Sequence, residues 1–576
     1  MEEDGKAAQS QRRPQYVGED LSPTTTRELR GFYIYGLAAE VFAVCGVGSF
    51  LPVTLEQLAR ERGVLWSDKT TSCMAKKAAE TGAQLLARAA EEDNNQCVVH
   101  VLGAEITTSS FAMYTFSLAV FVQALALVSF SSFADHGNYR KKLLLGFGFT
   151  GAISSMLFLL IIPKIFLLGS ILVIIGVTCL GSSFVILNSF LPLLVANHPS
   201  IQSGDQDSVA MEPLSHSSSY HETSEQNLKS DSSALKLSTQ ISSKGVGIGY
   251  AAAVFVQILS ILLFFLMSKT SVSSTLPLRL VLFLVGVWWF AFTIPSSIWL
   301  RSRPGPPLKT STSGQSKLRS CLAYTSFAWR SLWRTIKITI KLRQALIFLV
   351  AWFLLSDAIA TVSGTAILFA RTELKMGTVA IALLSITATS SGIAGAFVWP
   401  IISRRYALKT NRTIVACIAL MEIIPLYGLL GFIPFVKAWG VGGLQKSWEI
   451  FPLAFIHGFV MGGLSSYCRS FFGLLIPPGS EAAFYALYAI TDKGSSAVGP
   501  AIVGMIVDAT GQIRPAFFFL ALLIALPAPL IWMVDAERGQ ADAIRMAEIM
   551  KKVGAAEDFG DDRHGVEAEG LMRDHD

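Results

Sequence analysis

Twelve long apolar stretches alternate with polar segments along this chain, and they constrain its fold more than any other feature. They lie near 32–53, 108–131, 143–162, 165–195, 247–267, 278–300, 344–370, 379–402, 413–436, 450–474, 485–507 and 514–534. A helix needs about 20 apolar residues to cross a bilayer. Because lipid cannot satisfy backbone polar groups, a stretch of this length predicts a helix. We therefore predict an all-α polytopic membrane protein with twelve transmembrane helices.

Composition supports this class and argues against several others. Only 15% of the residues are charged, whereas soluble domains carry roughly 25%. The net charge is +6, but Lys and Arg are scattered in short clusters, so we expect no nucleic-acid partner. The seven cysteines include no CxxC pair, and no P-loop or nucleophile-elbow motif occurs. We expect no metal, no cofactor and no enzymatic activity.

The spacing of the stretches predicts two six-helix bundles, at 32–300 and 344–534. Two long interruptions divide the chain, a serine-rich segment at 196–246 and a basic segment at 301–343. The first is too polar to form a core and is predicted to be a disordered loop. The second is predicted to be a linker between the bundles. Residues 1–31 and an acidic tail, 535–576, complete the chain, and a duplicated unit is typical of transporters.

Basic residues predict the orientation in the membrane. The segments 132–142, 301–343 and 403–412 hold three, ten and four Lys or Arg residues, and the alternate short loops hold one or two. Short cytosolic loops carry the positive charge. Both termini are therefore predicted to be cytosolic, and the 54–106 loop is predicted to face the opposite compartment. Cys73 and Cys97 lie in that loop, where they could form a disulfide or remain two free thiols.

Charged residues inside the predicted spans are few, and they are the main candidates for function. They are Glu40, Asp357, Glu422, Arg469, Asp492 and Lys493. A charge at the bilayer centre costs about 2.5–3.5 kcal/mol even on lenient scales, and it usually marks a pathway or an ion pair. Glu40, Arg469, Asp492 and Lys493 are predicted at similar depth. They form either a binding site or a structural gate of mutually neutralising charges.

The loop between the second and third spans contains an acid, a glycine and a basic cluster. Asp135, Gly137 and Arg140 are its central residues. Such a loop can latch onto a neighbouring helix end, and the alternative is a basic loop that only follows the orientation rule. Ser403-Arg404-Arg405-Tyr406 occupies the equivalent place in the second half, which favours a repeated device.

Several strings together resemble the major facilitator superfamily and, within it, the autophagy-related protein 22 family of fungal vacuolar amino-acid effluxers. The strings are Tyr33–Phe42, Asn188–Pro192, Phe353–Asp357 and Tyr485–Pro500. The resemblance implies a cavity between two bundles, lined by helices one, four, seven and ten, which carry Glu40, Asn188, Asp357 and Arg469. It also implies a vacuolar membrane location and release of leucine and other neutral amino acids to the cytosol.

We expect a zwitterionic amino acid to bind with its carboxylate toward Arg469 or Lys493 and its ammonium toward Glu40 or Asp357. Asn188 and Asp492 complete the expected polar lining. Glu40 or Asp357 is the candidate for coupling export to protons. Two alternatives stay open, a transporter of the same fold for another small solute and a membrane receptor or scaffold that does not transport.

Overall fold

The computed structural model describes residues 19–65, 70, 72–73, 97–101, 103–201, 219–268, 275–305, 317–374, 376, 378–495, 498–510 and 513–550. Helices dominate these residues. The N-terminal half contains α1 (Thr26–Val41), a π-helical segment (Phe42–Phe50), α2 (Leu51–Arg60), α3 (Thr108–Ala134), α4 (Tyr139–Met156), 3-10 turns at Leu157–Leu160 and Pro163–Ile165, α5 (Phe166–Ala196), α6 (Ser219–Ser268) and α7 (Leu276–Trp299).

The C-terminal half is also built mainly of helices. It contains α8 (Lys317–Lys341), α9 (Arg343–Thr372), α10 (Thr378–Arg405), α11 (Thr410–Leu429), a 3-10 turn (Leu430–Phe432), α12 (Pro434–Trp439), a second 3-10 turn (Ser447–Glu449), α13 (Ile450–Leu474), α14 (Glu481–Ser495), α15 (Val498–Thr510), α16 (Ala516–Ala525) and α17 (Pro527–Met533). Residues 536–550 are also helical.

Ten helical stretches within the described residues are long and apolar enough to cross a membrane. The two other predicted spans coincide with α3, which has an apolar centre at Tyr114–Leu127, and with α14 followed by α15. The predicted class, an all-α polytopic membrane protein, is confirmed. The first span is longer than predicted, because helical structure runs from Thr26 to Arg60.

Hydrogen bonds place both described ends of the chain at one end of the molecule. Thr24 donates its backbone N–H to the carbonyl of Asn197, after α5, and Gly305 donates to the carbonyl of Gly137, after α3. In the second half, the backbone N–H of Asp535 donates to Oε1 of Gln344. We call this the latch end, for the contacts of Asp135 described below.

A small antiparallel sheet lies at the opposite end, which we call the sheet end. Its strands are β1 (Val64–Leu65), β2 (Cys97–Val101) and β3 (Ala104–Thr107), in the order β1-β2-β3. A disulfide joins Cys73 to Cys97 with a Cα–Cα distance of 6.2 Å. The prediction of 54–106 as a loop missed both the end of α2 and this sheet, because strands of two to five residues leave little periodic signal.

The prediction of 196–246 as a disordered loop is wrong from Ser219 onward, because these residues belong to α6. Ile241 joins the N-terminal core, and Ser238, Ser242 and Ser243 are buried. Small hydroxyl side chains allow helices to approach closely in membranes, so a serine-rich composition does not exclude packing. Residues 202–218 of the predicted loop lie outside the described part of the chain.

The basic 301–343 segment also contains a helix that the linker prediction did not include. This helix, α8, ends one residue before α9 begins. It packs against α3, α9 and α14. The predicted acidic tail begins with a helix over 536–550, and residues 551–576 are outside the described range.

Each half has its own apolar core. In the N-terminal half Phe42 stacks on Trp289 with ring centroids 4.9 Å apart, and in the C-terminal half Phe348 stacks on Phe472 at 5.7 Å. Glycines bring α10 and α13 together, since a Cβ at Gly462 would lie 2.1 Å from the carbonyl oxygen of Gly392. Close backbone approach of this kind replaces hydrophobic driving force in a membrane.

The two halves meet along two sets of helices. On one side α6 packs against α10 and α13, and a Cβ at Gly247 would meet the ring of Phe397 at 2.5 Å. On the other side α14 packs against α3 and α5. The second contact contains the residues of the predicted loop latch.

Candidate functional site

Asp135 connects the two halves at the latch end. It follows the last residue of α3, and its carboxylate accepts two backbone hydrogen bonds from the first turn of α14. Oδ1 accepts from the N–H of Ala482 at 2.8 Å, and Oδ2 accepts from the N–H of Ala483 at 2.9 Å. Backbone N–H groups at a helix N-terminus are unsatisfied within the helix and carry positive partial charge. A side chain of one half therefore caps a helix of the other.

Arg140 sits beside this cap and contacts two carboxylates. Its Nη2 lies 3.0 Å from Oδ1 of Asp135 and 3.5 Å from Oε2 of Glu481. All three side chains are buried, and the guanidinium lies 5.8 Å from the centroid of the Phe190 ring. We call Asp135, Arg140, Glu481 and the first turn of α14 the latch. Sequence analysis identified Asp135 and Arg140 but not Glu481.

Burial sets the protonation behaviour of the latch. It raises the pKa of Asp135, while Arg140 and the N–H groups of Ala482 and Ala483 act in the opposite direction. Burial also raises the pKa of Glu481, against the effect of Arg140, and the nearby Asp135 raises it further. One arginine faces two carboxylates, so the fully ionised latch carries a net negative charge.

Gly137 and Gly305 shape the turn that presents Asp135. Gly137 has a φ of +49°, in the left-handed region that favours glycine. Gly305, after α7, lies so close that a Cβ would sit 1.9 Å from the carbonyl oxygen of Asp135. The chain that leaves the N-terminal half therefore packs directly on the latch turn.

A second buried ion pair lies near this turn, and sequence analysis missed it. Arg303 donates from Nε to Oε1 of Glu28 at 2.8 Å and from Nη2 to Oε2 at 2.9 Å. Its remaining terminal nitrogen, Nη1, donates to the backbone carbonyls of Asp20 and Ser22, each at 3.2 Å. The only sequence signal was local, because Thr25 followed by Glu28 is a capping-box pattern for the start of α1.

Deeper in the molecule, Glu40 of α1 and Arg469 of α13 interact electrostatically across the two halves. Tyr250 of α6 lies near both of them. Glu40 packs on the backbone of α6, where a Cβ at Gly249 would lie 2.9 Å from its Cβ. Both charged side chains are only half-buried. The structure thus brings together two of the predicted site residues and adds Tyr250.

Aromatic rings adjoin Arg469. Tyr485 donates its hydroxyl to the backbone carbonyl of Arg469 at 3.0 Å. Tyr488 stacks on Trp352 at 4.7 Å and on Phe472 at 5.1 Å between ring centroids. Tyr488 also lies near Arg469 and Asp492. An apolar wall with a polar edge therefore lies beside the Glu40–Arg469 pair.

Asp357 and Asp492 join α9 to the two helices of the predicted eleventh span. Oδ1 of Asp357 accepts the backbone N–H of Gly499, the second residue of α15, at 2.9 Å. The neighbouring Ser356 donates its hydroxyl to the backbone carbonyl of Asp492, in α14, at 3.0 Å. Asp357 is buried and Asp492 is half-buried. One oxygen of Asp357 is therefore committed to the helix N-terminus.

The other predicted polar residues lie apart from this contact network or outside the described side chains. Asn188 is half-buried in α5, with its Oδ1 buried and without a hydrogen-bond partner in the described structure. Lys493 lies in α14, but its side chain is outside the described part. Glu422 lies in α11. Among the described residues, no group of three His, Cys, Asp or Glu side chains could hold a metal.

Comparison with known proteins identifies close relatives over the whole chain. Residues 24–544 match the model of the family described as vacuole effluxer Atg22 like. Autophagy-related protein 22-1 of Sclerotinia sclerotiorum is 66% identical, covering 100% of both chains. Autophagy-related protein 22 of Botryotinia fuckeliana is 67% identical, covering 98% of this chain and 99% of its own.

Solved structures show a similar fold at low sequence identity. A bacterial homologue of the iron transporter ferroportin, in its outward-facing state with soaked iron, has 12% identity and a TM-score of 0.51. The match covers 88% of this chain and 98% of the ferroportin homologue. FucP, a major facilitator superfamily transporter in the outward conformation, has 13% identity and a TM-score of 0.50, with the same coverage. At this level of identity the structural similarity supports the fold alone, which is the major facilitator fold.

Proposed function

Because the chain belongs to the family of Atg22-like vacuole effluxers, we propose that it exports neutral amino acids such as leucine from the vacuole lumen to the cytosol. The family and the major facilitator fold make it a membrane transporter. The substrate, the direction and the coupling ion are the parts that we propose. The Glu40–Arg469 pair is the observation that carries the substrate assignment.

A zwitterion matches this pair in charge. Glu40 and Arg469 offer opposite charges from different halves of the molecule, and both are half-buried. We assign the substrate carboxylate to Arg469 and the substrate ammonium to Glu40. Charge-assisted hydrogen bonds to fixed partners offset the desolvation of both ends of the substrate. The aromatic wall of Trp352, Phe472 and Tyr488 is suited to an apolar side chain.

Alternating access follows from the position of the pair relative to the latch. Glu40 and Arg469 belong to different halves, and Asp135 holds the same halves together at the latch end. Basic residues cluster in the loops at the latch end, and this distribution supports our placing that end in the cytosol. In the latched state the substrate therefore enters from the lumen, and opening of the latch releases it to the cytosol.

Glu40 is our candidate for proton coupling. It interacts electrostatically with Arg469. In the proposed binding mode its carboxylate holds the substrate ammonium, so substrate binding and protonation compete for the same group. Asp357 was an equal candidate from sequence, but one of its oxygens accepts the N–H of Gly499. We therefore place Asp357 as a residue that positions α15 beside α9, with Glu40 as the residue that exchanges a proton.

Leucine efflux from vacuolar vesicles tests the proposal, with pH varied on the lumenal side. Glu40→Gln should remove the pH dependence, because a neutral amide cannot exchange a proton. Glu422→Gln is the matched control, since it removes a carboxylate from α11 and should leave the pH response intact. An unchanged pH response in Glu40→Gln would contradict the coupling assignment. Absence of leucine efflux from wild-type vesicles would contradict the substrate assignment.

A further inference from the structure

The outer surface of α8 has an unusual composition for a linker. Trp329, Trp333 and Ile340 are 47%, 61% and 59% exposed. At about 100° per residue, these three side chains fall within about 40° of one another around the helix. We call them the aromatic stripe. Large exposed apolar side chains aligned on one face indicate a surface that contacts something other than water.

A second stripe carries positive charge. It is centred about 90° further round the helix and consists of Arg330, Arg334, Lys337 and Lys341, all of them exposed. Lys337 also lies over the Trp333 ring, with its Nζ 5.9 Å from the centroid. We call these four residues the basic stripe. No acidic residue occurs anywhere in α8.

The third face of α8 packs on the protein. Thr335 and Thr339 are buried, at 5% and 3% exposure, and they lie about 100° or more from the centres of both stripes. The helix contacts α3 and α14, the two helices that the latch joins, and α9. Only Leu342, itself buried, separates α8 from α9. The helix is therefore attached where a membrane-spanning helix begins.

We propose that α8 lies on the bilayer surface at the latch end, binds anionic phospholipid through its basic stripe, and thereby stabilises the latch. A helix with one apolar stripe and one basic stripe matches the interface between acyl chains and headgroups. Tryptophan favours that level of the bilayer, and basic residues near a membrane-spanning helix attract anionic headgroups. Charge complementarity and the connection through Leu342 favour a lipid surface over a protein partner.

The link to the latch comes from the third face. Because α8 contacts both α3 and α14, fixing it to the membrane favours the arrangement in which those two helices stay together. In that arrangement Asp135 accepts the N–H groups of Ala482 and Ala483. Hydrogen exchange of these two amides therefore reports on the latch, and exchange of 317–341 reports on α8 itself.

The test uses the full chain in nanodiscs of phosphatidylcholine, with phosphatidylserine raised stepwise to about 20 mol %, enough to give a negative surface potential. We expect phosphatidylserine to slow exchange in α8 and at both latch amides about ten-fold. Each basic residue near an anionic surface contributes about a five-fold factor in affinity. Arg330→Gln with Arg334→Gln should therefore lower the affinity of α8 for the phosphatidylserine surface about 25-fold, so that the ten-fold slowing of exchange is lost at the same lipid composition.

Two further variants make the result specific. Arg412→Gln with Arg538→Gln removes the same charge from exposed positions at the same end and should keep the wild-type lipid response. Arg330→Lys with Arg334→Lys should also keep it, which separates loss of charge from misfolding. Equal loss in both glutamine double variants, or no effect of phosphatidylserine on wild type, would overturn the proposal. If the protection of α8 from hydrogen exchange depends on the number of protein copies per disc and not on the phosphatidylserine content, the proposal is also overturned, and α8 is a self-association surface.

Discussion

Replacing Asp135 by Asn should shift the protein away from the latched state without changing side-chain size. The carboxylate accepts three charge-assisted hydrogen bonds, from Ala482, Ala483 and Arg140, at 2.8–3.0 Å. A bond to a charged group contributes about 1.5–3 kcal/mol, against about 1 kcal/mol for a neutral bond. Asn keeps only one acceptor oxygen, so the bonds from Ala482 and Arg140 each weaken by about 1 kcal/mol and the bond from Ala483 is lost, a total of about 4 kcal/mol.

Part of that loss is recovered, because a neutral amide costs less to bury than a carboxylate. Asp135 is 2% exposed, so solvent screening does not reduce the interactions it makes. We take about 2 kcal/mol as the net effect, which corresponds to about a 30-fold fall in the ratio of latched to open protein. Arg140 keeps Glu481 as a partner at 3.5 Å, so the substitution leaves no isolated buried cation.

Spin labels on the two halves measure this ratio as a distance distribution. Tyr139 and Tyr406 suit cysteine labelling because they are 49% and 68% exposed at the latch end, one in each half. The four free cysteines of the described chain are buried. Asp135→Asn should increase the longer-distance population about 30-fold relative to the shorter one. Glu537→Gln, which removes an exposed acid at the same end, is the control and should leave the distance distribution unchanged. An unchanged distribution in Asp135→Asn would contradict the conclusion that the Asp135 carboxylate holds the two halves together.

Three further predictions concern the latch, the buried ion pair and the helix interface. Burial raises the pKa of Glu481 in the latched state, so protonation of Glu481 favours the latched state. The latched fraction, measured by the same spin-label distances, should therefore fall as pH rises from about 4.3 to that raised pKa. Glu481→Gln should remove this pH dependence. Glu28→Gln strands a buried arginine and should lower stability in detergent by about 3–5 kcal/mol, seen as a lower melting temperature, whereas the exposed Arg301→Gln should not. Gly462→Val adds side-chain atoms where a Cβ already meets a carbonyl oxygen and should lower the melting temperature by a destabilisation of about 1–3 kcal/mol; a wild-type melting temperature would contradict the close packing of α10 on α13.

The membrane-spanning architecture could be predicted from the sequence because it depends on local properties. Apolar length sets each helix, and the described helices coincide with all twelve predicted stretches. What the prediction missed has a weaker local signal. In α8 the polar and apolar residues are mixed, so average hydropathy concealed a helix that its 3.6-residue period would have indicated. The strands of the small sheet are too short for any period to show.

The candidate site was predictable only in part, for a different reason. A charge inside an apolar stretch stands out, so Glu40 and Arg469 could be selected directly, and Asp135 could be selected from the acid, glycine and basic cluster of its loop. Their partners could not, because Asp135 binds backbone N–H groups 347 and 348 residues away, and any backbone offers those. Glu28 and Arg303 lie in polar surroundings in the sequence, where a charge is expected to be solvated. Only the fold shows that this pair is buried.

Leucine flux through the purified full chain in proteoliposomes is the most direct test of whether the protein transports neutral amino acids through a site that contains Arg469. Radiolabelled leucine is loaded inside, and its exchange is followed in wild type, Arg469→Gln and the control Arg412→Gln, an exposed arginine at the latch end. We expect saturable leucine exchange that Arg469→Gln reduces at least about ten-fold, the effect of losing one charge-assisted contact to the substrate carboxylate, while Arg412→Gln transports normally. Wild-type protein that binds or exchanges no neutral amino acid, or Arg469→Gln that exchanges leucine at the wild-type rate, would contradict this expectation.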